Sequence, residues 1–139
     1  MRDRLNKQIA AFTLSELLVV LVIIGILILL ALPSLMPLIS KTRSLEAKQA
    51  LKHVHTLQKS YYYEYARFGA LLDDIGFEGE RLSTDSENPG NANYLIEIVD
   101  SSPTTYLARA TAVIDFDGDG VFNVWEINQE GNINEIVKD

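Results

Sequence analysis

At 139 residues, with a net charge of −7 and no cysteine, the chain has room for one domain and cannot be stapled by a disulfide. The acidic balance repels nucleic-acid phosphates and argues against a nucleic-acid partner. The missing thiols give no redox clue to compartment.

Residues 1–11 carry Arg2, Asp3, Arg4 and Lys7, and removing their net +2 leaves the remainder at −9. This positive leader predicts a cytoplasmic N-terminus with the head across a membrane, although Lys41 and Arg43 beyond the apolar stretch weaken that argument. Residues 12–39 read FTLSELLVVLVIIGILILLALPSLMPLI, and no charge falls within residues 17–40. A hydrocarbon core of ~30 Å needs about 20 apolar residues in a helix, so this stretch is long enough to span one. A secretory signal peptide fits less well, because its apolar part is about 7–15 residues with the cut site after it. Glu16 is the single acid in the stretch. A carboxylate in hydrocarbon costs at least ~2.5–3.5 kcal/mol on insertion scales, which makes it a functional candidate.

The order of basic leader, Ala11, Phe12-Thr13-Leu14-Ser15-Glu16 and apolar run resembles the class III signal of type IV pilins and type II secretion pseudopilins. The resemblance implies that a prepilin peptidase cuts between Ala11 and Phe12 and methylates the new terminus. The apolar helix then stays on the mature chain. The family usually has glycine where this chain has Ala11. It also implies that Glu16 neutralises the terminus of a neighbouring subunit and sets its register. The implied partners are copies of the chain itself, the peptidase, an inner-membrane assembly platform and the membrane. The alternative is that Glu16 snorkels to the interface or pairs with its own terminus.

Residues 12–67 read as one long helix, with residues 12–40 as the membrane or filament-core half. Pro33 and Pro37 each remove a donor, which predicts a kink or melted segment over residues 25–37. The family often has proline at the position of Pro33. Beyond it, Ala47, Leu51, Val54, Leu57, Tyr61 and Tyr65 recur at helical spacing and predict a buried stripe. Gly69 is the expected C-terminal cap.

Residues 69–93 form a connecting loop with Asp, Ser, Asn, Gly and Pro punctuation, pinned by Leu71, Leu72, Ile75 and Phe77. Strands are predicted over residues 94–99, 104–114 and 121–128, with residues 133–137 as a short edge strand after a hairpin turn. The fold class is therefore α+β: a long kinked helix packed on a small antiparallel sheet, residues 41–139 forming the head and residues 94–137 its sheet. The resemblance makes this pilin-like.

Asp115-Phe116-Asp117-Gly118-Asp119-Gly120, with Glu126 at position 12, matches the D-x-D-x-D-G-x5-E calcium template. Asp115, Asp117 and Asp119, the Val121 carbonyl and Glu126 are the expected Ca2+ ligands. The flanks read as strands rather than helices, so Glu126 is the weaker member. The bland reading is an Asp/Gly turn with solvated carboxylates. Some pilins and the major pseudopilins hold calcium in this region, as the resemblance implies.

His53 and His55 project about 200° apart on a helix and cannot share a metal. The Tyr61, Tyr62, Tyr63, Tyr65 and Phe68 group reads as packing rather than charge transport. No nucleophile, base and oxyanion set and no phosphate-cradling loop is visible, which points away from an enzyme. The expected function is a type IV pilus subunit, inserted in the inner membrane and then assembled into an extracellular filament. The alternatives are a periplasmic pseudopilin of type II secretion and a bitopic calcium-binding protein that does not polymerise.

Overall fold

A computed structural model describes residues 12–139, except the side chains of residues 33–37, 39 and 40. The leader with its cut site at Ala11, and the rings of Pro33 and Pro37, lie outside the described residues. Among the described residues one helix, α1 (Leu14–Tyr65), precedes four strands: β1 (Tyr94–Ser101), β2 (Tyr106–Ala112), β3 (Val124–Asn128) and β4 (Ile133–Val137). The architecture is α+β. The chain divides into two compact units, one ending at Leu35 and the other spanning Met36–Asp139.

In the first unit, Leu14–Leu32 is long and apolar enough to cross a membrane, and none of it is buried within the chain. Leucine, isoleucine and valine cover this helix on every side, and their side chains stand exposed. A helix that is hydrophobic all round belongs in lipid or among other helices. Residues 25–37 are helical throughout, so the melted segment expected there is corrected. Each proline deletes one N–H from the ladder without ending the helix.

In the second unit the buried line of α1 is Ser44, Ala47, Leu51, Val54 and Gln58. It faces Tyr106, Ala108, Ala110 and Ala112 of β2 and Trp125 and Ile127 of β3. Three alanines on the inner face of β2 leave room for the helix to come close. Tyr61 is half-buried, but Tyr65 is 53% exposed, which corrects the expected end of the stripe. Tyr65 instead packs its ring on Tyr61, 4.5 Å between centroids.

The helix also stops earlier than expected. Ala66 takes a left-handed φ of 53° and donates its N–H to the Tyr62 carbonyl, 2.8 Å. The cap is therefore Ala66, not Gly69. Gly69 has another role: Gln58 Oε1 accepts its N–H and Gln58 Nε2 donates to its carbonyl, each at 2.9 Å. In the loop, Ile75 and Phe77 are buried as expected, whereas Leu71 is 63% exposed and pins nothing.

The strands form an antiparallel meander in the order β1-β2-β3-β4, with a bulge in β1 between Ile98 and Asp100. The β1–β2 turn is held by Ser102, whose Oγ accepts the N–H groups of Thr104 and Thr105. At the β3–β4 turn Gly131 supplies a φ of 82°, and Asn128 Oδ1 accepts from Glu130 and Asn132. On the outer face Glu97, Arg109, Glu126 and Asn134 lie in one cross-strand row.

Candidate functional site

Among the described residues, two groups carry chemistry, one in each unit. At the start of α1, Glu16 Oε2 accepts the Thr13 N–H at 2.8 Å and the Thr13 hydroxyl at 2.9 Å. The Glu16 N–H in turn donates to Thr13 Oγ1, 3.3 Å. This is a reciprocal capping box. The residue types explain it: threonine at the N-cap, glutamate three positions on, then an apolar run. Glu16 thus has a structural partner within its own chain as well as a charge facing solvent. Phe12 precedes the cap and is exposed. Sequence reasoning picked out Glu16 for its charge in an apolar stretch and missed its pairing with Thr13, although T-x-x-E was there to be read.

The second group lies after β2. Asp115 accepts the Gly118 N–H at 2.6 Å through Oδ1 and the Gly120 N–H at 2.7 Å through Oδ2. Asp117 accepts from Asp119, 3.0 Å, and Asp119 accepts from Val121, 2.7 Å. Gly118 and Gly120 turn the chain at φ of 83° and 88°. Asp139 joins from the segment after β4, at the same end of the sheet, its Oδ2 accepting the Phe116 N–H at 3.0 Å. The carboxylates of Asp115, Asp117, Asp119 and Asp139 each bring an oxygen to within 4.8 Å of the others.

Glu126 does not take part. Its Oε1 accepts from Arg109 Nε and Nη2, at 2.8 and 2.6 Å, on the outer face of the sheet. Trp125 and Ile127 occupy the core, so the strand period sends Glu126 the other way. Its place as position-12 ligand is corrected. Asp139 was missed, because it lies outside any twelve-residue window and only the sheet brings it to the loop.

The local electrostatics suit a cation. Backbone N–H donors, Gly120 first, hold the Asp115 carboxyl below the usual range. At Asp117 the Asp119 N–H pulls the same way. Desolvation and the charges of Asp119, Asp139 and Asp115 outweigh it and leave that carboxyl raised. Calcium–oxygen distances of about 2.3–2.6 Å place no two ligands more than about 5.2 Å apart, which this cluster satisfies.

Around the loop, Asn123 is fully buried and was also missed. Its Oδ1 accepts from Tyr94 Oη and Trp125 Nε1, while its Nδ2 donates to Glu135 Oε1 and the Val137 carbonyl. One amide therefore ties β1, β3 and β4 together beside the aspartates. Burial pushes the Tyr94 phenol up to about 12. The histidines have separate surroundings. His53 meets the Phe77 ring, while His55 Nδ1 lies 2.6 Å from Tyr106 Oη.

The prokaryotic N-terminal methylation motif matches residues 6–32 of the chain. The type IV major pilin protein PilA of Myxococcus xanthus is 40% identical over 79 residues, which are 57% of this chain and 36% of that protein. The match thus takes in about a third of the relative's length.

Proposed function

From a chain that carries the N-terminal methylation motif of the type IV pilin and pseudopilin family, we propose a structural subunit of a type IV pilus. In this reading the leader is cut between Ala11 and Phe12, and Phe12 becomes the methylated terminus. The apolar helix holds the subunit in the membrane until it enters a filament. There the exposed leucines, isoleucines and valines of Leu14–Leu32 exchange lipid for the helices of other copies. Glu16 exchanges solvent or headgroups for the amino terminus of a neighbour. The observation that carries the reading is an all-round apolar, wholly unburied helix that begins with one carboxylate. Its test is mass spectrometry of the mature chain with electron microscopy of sheared surface material. A terminus at methylated Phe12 in long fibres is the expected result. An intact Met1 in a membrane-resident monomer would overturn it. A processed chain without surface fibres, with secretion lost on deletion, would instead assign it to a pseudopilus.

We further propose that Asp115, Asp117, Asp119 and Asp139 hold Ca2+, with the Val121 carbonyl as an additional oxygen donor. The convergence of four carboxylates from the loop between β2 and β3 and from the segment after β4 supports this reading. The ion would supply positive charge where the aspartates repel, and would fasten the segment after β4 to the loop before β3.

A further inference from the structure

We infer that the heads dock on one another head-to-tail, through a lysine stripe on α1 of one copy and the acidic loop of the next. The inference takes its setting from the filament reading above. Charge is sharply divided along the chain. Residues 41–67 carry six basic and two acidic side chains, net +4, whereas residues 68–139 carry three basic and fifteen acidic, net −12. Within one molecule these charges come together at one described place, a pocket that Lys41 and Lys48 line with Glu135 and Asp139. Among the described residues the ion pair formed is Arg109 with Glu126, both on the sheet.

The basic side is a line. Lys41, Lys48, Lys52 and Lys59 stand at intervals of seven, four and seven residues. At about 100° per residue they fall within about 40° of one another, along about 27 Å of helix. Lys41, Lys52 and Lys59 are exposed. Lys48 is the anchored member, its ammonium 4.2 Å from the centre of the Trp125 ring. Arg43, off the line, is spent inside the molecule on Asn93 and Phe116.

The acidic side is the loop between α1 and β1. Asp73, Asp74, Glu78, Glu80, Asp85 and Glu87 are all exposed, with Arg81 the one base among them. Glu78 and Glu80 rim a cavity of about 330 Å³ that Glu46, Gln49 and Ala50 of α1 line from below. Those three helix positions point about 130° away from the lysine line, and the sheet takes the remaining side. Basic and acidic surfaces therefore occupy different flanks of one helix. Complementary patches set about 130° apart do not share one two-fold interface but make a heterologous, head-to-tail contact. Such a contact repeats from copy to copy and stays open where its rotation does not close a ring. Charge complementarity of this kind fixes register and steers encounter.

Because the chain has no cysteine, docking can be read by crosslinking the full chain in its own membranes. The double variant Lys52→Cys, Glu80→Cys is expected to give a disulfide ladder that extends beyond dimers and fades at high salt. Lys52→Glu with Lys59→Glu, and separately Glu78→Lys with Glu80→Lys, are each expected to cut filament yield at least ~10-fold. Co-expressing the two reversed chains is expected to restore filaments, because each stripe then meets an opposite loop. Absence of a ladder, a ladder that stops at dimers, or undiminished filaments from either reversed chain overturns the docking. So does protection of the lysines from an amine reagent by anionic vesicles alone, which would assign the stripe to lipid headgroups. Fibres that persist with reversed charges leave the pilus reading standing. A ladder in membranes that never yield fibres supports the docking and removes the pilus reading.

Discussion

The side-chain amide of Gln58 pairs with both backbone groups of Gly69, donating to its carbonyl and accepting its N–H, each over 2.9 Å. Gln58 is fully buried and stands where a leucine would continue the apolar line of α1. The chain leaves the helix at Ala66 and must be held against it three residues later. A carboxamide offers one donor and one acceptor in the same geometry as a backbone peptide, so it completes the turn as a strand partner would.

Gln58→Leu should therefore destabilise the head although it adds apolar surface. It strands a buried N–H and a buried C=O, each costing about 1–3 kcal/mol, for a total of about 2–6 kcal/mol that the added apolar burial offsets only in part. Denaturant titration followed by Trp125 emission measures this. A variant as stable as the parent would show that water replaces the amide.

Ala66→Gly is expected to stabilise. The left-handed φ of 53° at Ala66 carries a steric cost that glycine lacks. The gain should be about 1 kcal/mol, read as a raised melting temperature.

His55 makes the head sensitive to mild acid. Burial disfavours its imidazolium and Lys59 adds repulsion, while a hydrogen bond to the Asn128 backbone opposes them in part; its pKa falls below the ordinary 6.5. The unfolded chain therefore binds more protons than the folded one between the two values. Stability is complete above 6.5 and declines as pH drops through 6.5 toward the folded value. Melting temperatures at about pH 7.5 and about pH 5.5 should differ more for the parent than for His55→Gln. Equal slopes would remove His55 as the cause.

The two carboxylates at issue for calcium can be separated. Asp139→Asn is expected to weaken Ca2+ binding by ~10-fold or more, whereas Glu126→Gln should leave it unchanged and loosen only the Arg109 contact. Calorimetric titration distinguishes them, and chelation should lower the melting temperature of the parent. The reverse order of effects would restore the twelve-residue template in place of the four-aspartate cluster.

The capping contact of Glu16 and the assembly role proposed for it can be told apart. Glu16→Gln keeps the oxygen that accepts from Thr13, and glutamine serves a capping box as well as glutamate. It removes only the charge. Filament yield should fall for Glu16→Gln and Glu16→Ala alike if the charge is what assembly uses. Loss in Glu16→Ala alone would mean that the cap is what matters.

Much of this molecule is legible in its sequence, and the failures have definite causes. The apolar helix, the four strands and the aspartate loop are local signals: a run, an alternation, a spacing. The edge strand at residues 133–137 is legible from the turn signal Gln129-Glu130-Gly131-Asn132, in which Gly131 takes a positive φ. The misses are long-range. Asp139 reaches the loop only through the sheet, and Gln58 and Asn123 are polar residues buried by partners remote in sequence or on other strands. Glu126 satisfies a pattern whose geometry assumes a helix after the loop, whereas a strand follows and its two-residue period turns the side chain outward. Ala66 caps the helix against propensity, with Gly69 three residues away as the more obvious choice.

Asn123 lets the end of the sheet close without sulfur. The amide joins Tyr94, Trp125, Glu135 and Val137 by hydrogen bonds alone. Maturation of this head thus needs no oxidant and no isomerase to sort thiols. The fastening is as secure among reduced glutathione as in an aerated medium, so its folding is uncoupled from the oxidative machinery of whatever compartment it crosses.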